Sequence, residues 1–246
     1  MAAYKETPRQ KMIAMMYLVL TAMLALNVSK EVIDAFAVVN ESIEKTNESF
    51  DEKIDQTYAR FEFQYNLNKE KVEPLWQKAL EVKRLSEDMR AYLADVRDTT
   101  IMKSENKSMQ EIKAFVAEEQ GVSPEEVEQV PVRLLEKKNE YDKVSNYFVP
   151  NLDKPREKGK AQEVRKKFIE YRKSMLELLH PNQRDDFRIG PDFDRKYYNA
   201  NGLEQSWEEN HFYHTIMAAA VTIMNKMITE VNNAEFDMLN HLYSSI

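Results

Sequence analysis

Apolar residues dominate the chain from Met12 to Val28 without a single charge, then thin to every third or fourth position over the next forty residues. The first pattern, IAMMYLVLTAMLAL, has no polar side, whereas an amphipathic helix on a protein surface keeps one. The second pattern steps by four and three alternately through Phe36, Asn40, Ile43, Asn47, Phe50, Ile54, Thr57 and Phe61. That is heptad spacing, made imperfect by Asn40, Asn47 and Thr57, and it fits a bundle contact as well as a coiled coil. No Gly or Pro stands between Lys30 and Asn68, so the two patterns are expected to share one long helical rod.

The remaining elements follow from periodicity and punctuation. Pro74 sits near the start of a second helix that carries Leu75, Ala79, Val82, Met89, Leu93 and Val96 on one face. A third segment, Met102 to Gln120, stops at Gly121. Ser123-Pro124-Glu125-Glu126 supplies an N-cap, a proline at N1 and acids in the first turn, predicting a helix to about Tyr147 unless Pro131 breaks it. Residues 146–162 read as a loop before a helix ending near Leu179, and 180–202 as an ordered loop mixing aromatics with charge. A last helix is expected from Leu203 to Tyr243, with Tyr213, Met217, Ala220, Met224, Met227, Val231, Ala234 and Met238 as its seam. Asn225-Lys226 interrupts TIMAAAVTIM, so this helix is not a second membrane span. The fold class is all-α, with five to seven helices bundled within residues 30–246.

Composition agrees: only four glycines in 246 residues leave little material for the turns and bulges of a β protein. A net charge of −7 gives no reason to expect nucleic-acid binding, and zero cysteines exclude disulfides and thiolate chemistry. For the apolar run, three readings compete: a cleaved signal peptide, a core helix and a retained membrane anchor. Cutting after Ala25 puts Met23 at −3, and cutting after Ser29 puts Asn27 there, so neither site offers the small residues that cleavage needs. The anchor reading therefore leads, with residues 1–11 cytoplasmic, 12–29 transmembrane and 30–246 outside as a periplasmic helical domain. Lys5, Arg9 and Lys11 set that orientation through the positive-inside bias. Thr21, Ala25 and Ser29 recur every four residues as a small-residue seam suited to close helix packing, with Tyr17 one turn earlier. Arg9 reads either as a topology anchor or as a charge facing a neighbouring helix.

Catalytic chemistry is not indicated. Glu204, Glu208, His211 and His214 fall in one helical sector, and Glu208 with His211 has the spacing of carboxylate-bridged metal bundles. Such a site also needs inward carboxylates from two further helices at the same level, and nothing in the sequence identifies them, so solvated or hydrogen-bonded helix ends are expected instead. Glu177 and His180 sit where a helix stops, and the acids at 185, 186, 192 and 194 lack the calcium-loop pattern. No phosphate-binding glycine loop or nucleophile elbow is present, so neither enzyme activity nor a metal or cofactor is expected.

The stretch TPRQKMIAMMYLVLTAMLALNVSKEVIDAF resembles the GldM (PorM) family of inner-membrane proteins of gliding motility and type 9 secretion in Bacteroidetes. The blocks P-R-Q-K-M-I, M-Y-L-V and A-M-L-A-x-N-V-S-K-E-V carry the likeness over about 30 residues. The resemblance implies that this is an N-terminal piece of a longer protein whose β-rich periplasmic domains reach outer-membrane or periplasmic secretion components. It further implies a homodimer whose two membrane helices sit inside a ring formed by the partner membrane protein GldL. There, proton flow would drive movement of one component against the other. Arg9 would then be the charged partner of an acid on the ring, Tyr17 a polar group on the same interface, and Glu31 a residue at its periplasmic mouth. A passive, membrane-anchored dimeric scaffold without energy coupling is the alternative.

Overall fold

The computed structural model describes residues 7–153 and 158–246, apart from the side chains of residues 22–29 and 186. The first helix, α1 (Pro8–Leu67), is a single 60-residue rod, about 90 Å long at 1.5 Å per residue. Its start is a capping box: the Thr7 side chain accepts from the Gln10 N–H and the Gln10 side chain accepts from the Thr7 N–H, with Pro8 at N1. Its end is the one-residue corner Asn68, whose side chain caps α2 (Lys69–Glu105) by accepting from the Lys71 N–H. The rod expected from Met12 to about Asn68 is therefore present.

The core forms around α7 (Met217–Tyr243), which lies between α1 and α2. It runs parallel to α1, since Asn47 meets Asn225, Phe50 meets Phe236 and Phe61 meets Tyr243. It runs antiparallel to α2, because Arg97 reaches Asn225 while Arg90 reaches Asn232. The seams read from sequence face inward: Ile54, Thr57 and Phe61 of α1, and Ala79, Val82, Met89, Leu93 and Val96 of α2, are buried. On α7, every predicted seam residue from Met217 to Met238 is buried. The far end of the three-helix core closes on aromatics, with Phe61 edge-on to both Trp76 and Tyr243.

A smaller layer covers the outer side of α2. It comprises α3 (Met109–Gln120), α4 (Asp142–Phe148), α5 (Lys160–Glu177) and α6 (Trp207–Phe212). Tyr171 of α5 meets Ser86 of α2 at 3.0 Å, and Phe148 of α4 stacks on Phe212 of α6 at 4.1 Å. The 180–202 loop is ordered, burying Ile189 and Phe193. Gly190 has φ +73° and lies where a Cβ would stand 2.0 Å from the Phe168 ring.

Three expectations need correction. The third segment does not begin at Met102, because the second helix continues to Glu105. Asn106 then ends it in the left-handed region (φ 58°), and Ser108 with Glu111 makes a new capping box for α3. The helix expected from Ser123 to Tyr147 is only a 3₁₀ turn at Pro124–Glu126, an irregular strap with a second turn at Val132–Leu134, and the short α4. Pro131 has no N–H, and the buried Val127, Val130, Val132 and Leu135 do not share one helical face. Between Leu203 and Tyr243 the chain forms first a two-residue strand β2 (Glu204–Gln205) paired with β1 (Tyr197–Tyr198), then α6, then α7. In one continuous helix, buried Trp207 and Phe212 would face roughly opposite to Met217, Met224 and Val231, at about 100° per residue. The break at 213–216, with His214 at φ 52°, turns both sets inward. The strap also receives the start of α7: Met217 and Ala218 donate their N–H groups to the carbonyls of Glu140 (2.8 Å) and Lys138 (3.0 Å).

Phe61 is 0% exposed and Phe63 is 61% exposed on the same helix. Phe61→Ala is expected to lower stability by about 3–5 kcal/mol and Phe63→Ala by less than about 0.5 kcal/mol, read from denaturant midpoints at constant m.

Candidate functional site

The first part of α1 packs against nothing in the rest of the described chain. From Met12 to Leu20 the large apolar side chains are exposed on every side of the helix, Tyr17 at 67%. Among the described side chains of α1, packing into the core begins at Phe36 and Ala37. Arg9, Tyr17, Thr21 and Glu31 are all exposed. Ala25 and Ser29, the other two members of the small-residue seam, lie outside the described side chains. Thr21 turns its hydroxyl back onto the Tyr17 carbonyl (2.7 Å), which satisfies the group without a neighbouring helix. Arg9 and Glu31 stand about 33 Å apart along the axis, so the three predicted contact residues are not one cluster. They do share a face: with Tyr17 they fall within about 80° of the helix circumference, next to the sector of Thr21. Among the described residues, no helix is long and apolar enough to cross a membrane. The span expected over residues 12–29 includes 22–29, whose side chains lie outside the described ones.

Where α1 enters the bundle, its polar seam positions turn out to be organised. Asn225 of α7 donates to Asn40 Oδ1 (2.9 Å) and accepts from Arg97 (3.1 Å), while Asn40 donates to Glu44 Oε1 (2.7 Å). One heptad further along, Asn232 accepts from Arg90 (3.0 Å) and reaches Asn47 Oδ1 at 3.5 Å, with Asp51 beside Arg90. Each layer therefore takes an Asn and an acid four residues later from α1, an Asn from α7 and an Arg from α2. Glu235 and Tyr58 extend the second layer. Glu235 is 0% exposed, bonded to Arg90, and accepts the Tyr58 hydroxyl at 2.8 Å. This end of the ladder opens into a cleft of about 320 Å³ lined by Asp51, Asp55, Tyr58, Lys83, Glu87 and Arg90. Reading the seams one helix at a time missed this ladder. The signal was the shared spacing of seven between 40 and 47, 225 and 232, and 90 and 97.

The possible metal ligands do not converge. Glu204 sits on β2 near Lys196 (3.3 Å), His211 Nδ1 faces the Trp207 carbonyl (2.8 Å), and buried Glu208 lies 3.6 Å from Arg165. Burial pushes the His211 ring below its ordinary pKa. Among the described residues, no group of three or more His, Asp or Glu could hold a metal ion.

Against known families, the profile of the GldM N-terminal domain matches residues 31–245, nearly the whole bundle from the packed part of α1 to the end of α7. The chain belongs to the GldM N-terminal domain family. Membership implies involvement in gliding motility and type 9 secretion. No curated protein matches the chain. The GldM match and the sequence likeness rest on almost separate residues. The likeness is concentrated in 7–36, and the match begins at 31.

The ladder of this GldM domain carries a pH dependence. Burial, ahead of the pull of Arg97 or Arg90, holds the carboxyl groups of Glu44, Asp51 and Glu235 above their ordinary pKa values. A raised folded-state pKa contributes stability that is present at low pH and lost as pH rises through that pKa. The depressed carboxylates at helix caps and exposed pairs, such as Glu111 and Glu81, act in the opposite sense, but only as pH falls below the ordinary carboxylate range. His211, held below its ordinary pKa, opposes the ladder as pH falls through the ordinary histidine range. The ladder's share is therefore read as a difference: the melting temperature of the native chain relative to Glu235→Gln is expected to rise as pH is lowered from 7 toward the ordinary carboxylate range, in parallel melting series.

Proposed function

We propose that the chain is the membrane-embedded and membrane-proximal part of a motor driven by the proton-motive force, which powers type 9 secretion and gliding through the periplasm. The observation that carries this reading is the two-part character of α1. Its first part is apolar around its whole circumference and joined without a break to a second part locked into the bundle. A helix with no polar side calls for lipid or other apolar helices around it. The helix over 12–29 is proposed to cross the inner membrane with the N-terminus in the cytoplasm. Its proposed surroundings are a second copy of itself and a ring of helices from a GldL-like partner.

Within that ring, Arg9 would favour the ionised state of a facing carboxyl group, because opposite charge in a low-dielectric setting lowers an acid's pKa. Making and breaking this pair couples proton occupancy to helix position. The chain's own span contains no acid, so the proton-carrying group belongs to the partner. Tyr17 extends the polar face two turns further, and Glu31 stands at its outer mouth. Movement of the helix passes directly into the bundle, since no loop intervenes between Arg9 and the polar layers. In the rival reading, the same helix is only an anchor for a dimeric scaffold.

Arg9→Ala separates the two. The motor reading expects secretion and gliding to fall by about tenfold or more, as for the loss of one partner of a buried ion pair, while the complex still co-purifies with its ring protein. Unimpaired secretion and gliding with intact assembly would leave the scaffold.

A further inference from the structure

We infer that the two polar layers form a register clamp, fixing α1 at one axial position on the α2–α7 pair and excluding slips by whole heptads. A heptad seam repeats itself, so apolar contact alone distinguishes poorly between the native alignment and one displaced by seven residues, about 10.5 Å. If α1 moved one heptad toward its N-terminus, Ile43, Phe50 and Phe61 would take the places of Phe36, Ile43 and Ile54, apolar for apolar, while Thr57 would replace Phe50 and Asn68 would replace Phe61. The ladder does not tolerate this. It spans two heptad levels, and one heptad to either side the corresponding positions of α1 and α7 are apolar, Ile33 and Ala218 before it and Ile54 and Leu239 after it. Ala218, Ile54 and Leu239 are buried. A slip in that direction sets Ile54 against Asn232 and Arg90. A slip the other way sets Ile33 against Asn225 and Arg97, and drops Asn47 onto the level of Leu239. Either way, one buried amide of α7 loses the α1 asparagine it donates to, while Arg90 and Arg97 keep their partners on α7, and a buried polar group without its partner is the costly event.

Pro74 has no N–H to give the Glu70 carbonyl, so the opening turn of α2 is tied to the rest of the helix by one bond fewer, and the restraint at the Asn68 corner rests on the Asn68 cap and on buried Val72. The layers, by contrast, act at the level where α1 first becomes buried, so a pull along α1 meets them first. Directional hydrogen bonds at a few seam positions, set in an otherwise apolar interface, are a known means of selecting one register at some cost in stability.

The absence of cysteine from the native sequence makes the test direct. In the full chain purified in detergent, Phe50→Cys with Phe236→Cys reports the native register, since those rings lie 6.2 Å apart. Thr57→Cys with Phe236→Cys reports the register displaced by one heptad. With the ladder unaltered, only the first pair is expected to cross-link, and cross-linking of the second to a similar extent would overturn the clamp. Asn40→Ile combined with Ile54→Asn moves the two α1 asparagines one heptad along, and the cross-link is expected to transfer to the second pair. Retention of the native cross-link alone in that variant, with helicity unchanged, would also overturn it. If the exchanged chain does not fold, the layers are made apolar instead with Asn40→Leu, Asn47→Leu, Asn225→Leu and Asn232→Leu. Cross-links at both pairs then support the clamp, and the native pair alone refutes it.

Discussion

The bundle depends on the burial of α7 between α1 and α2, and above all on how Asn225 is accommodated there. An asparagine at the centre of an apolar helix face brings both amide donors and acceptors into a place without water. Each lost partner would cost about 1–3 kcal/mol. Here Arg97 donates to its oxygen, and its nitrogen donates to Asn40 and lies within reach of Glu44. Satisfying that one side chain requires α1, α2 and α7 to meet at a single level. Asn232 imposes the same condition seven residues later. The apolar seam provides the driving force for association, but these two residues decide the geometry in which it is realised.

The rest of the fold adapts to this arrangement. With α2 antiparallel to α7, the end of α2 and the start of α7 lie at the same end of the bundle. The segment between them is an excursion that folds into α3 to α6 over the outer side of α2 and comes back to that end. The strap from Val127 to Tyr141 is not helical because of what it does there. It seals the near end of the core with Val130, Val132 and Leu135, offers its carbonyls to the first N–H groups of α7, and brings Gln129 to Glu44 at the first polar layer. A helix in that position would have its own carbonyls occupied and could not cap another.

Sequence periodicity was a good guide wherever one element buried one face. The length of α1, the inward faces of α2 and α7, and the stop at Gly121 were all legible, because each follows from local rules of spacing and capping. It failed where a partner decided the conformation. Ser123-Pro124-Glu125-Glu126 does form the box expected of a helix start, yet the following residues obey the surface they cover. The run from Trp207 to Tyr243 contains two buried faces that only a break can reconcile. Of the candidate site, the residues of the exposed apolar helix could be named from sequence. The polar ladder could not be found one helix at a time, because Asn40 and Asn47 look like defects until Asn225, Asn232, Arg90 and Arg97 are aligned with them.

The two parts of α1 are opposite in design, and the contrast bears on how motion could pass from one to the other. The first part is apolar outward and carries its few polar groups along one sector. The second part is charged outward and carries polar groups inward, each bonded to a neighbour. An apolar contact resists separation but only weakly resists sliding or turning, because it is non-directional. Hydrogen bonds to fixed partners resist both, since they weaken steeply with misalignment. A helix that is smooth over its exposed apolar part and keyed where it enters the bundle resists turning at one end and not at the other. Placing the keyed levels at Asn40 and Asn47, within the first turns to become buried, puts the grip as close to the smooth part as the bundle allows.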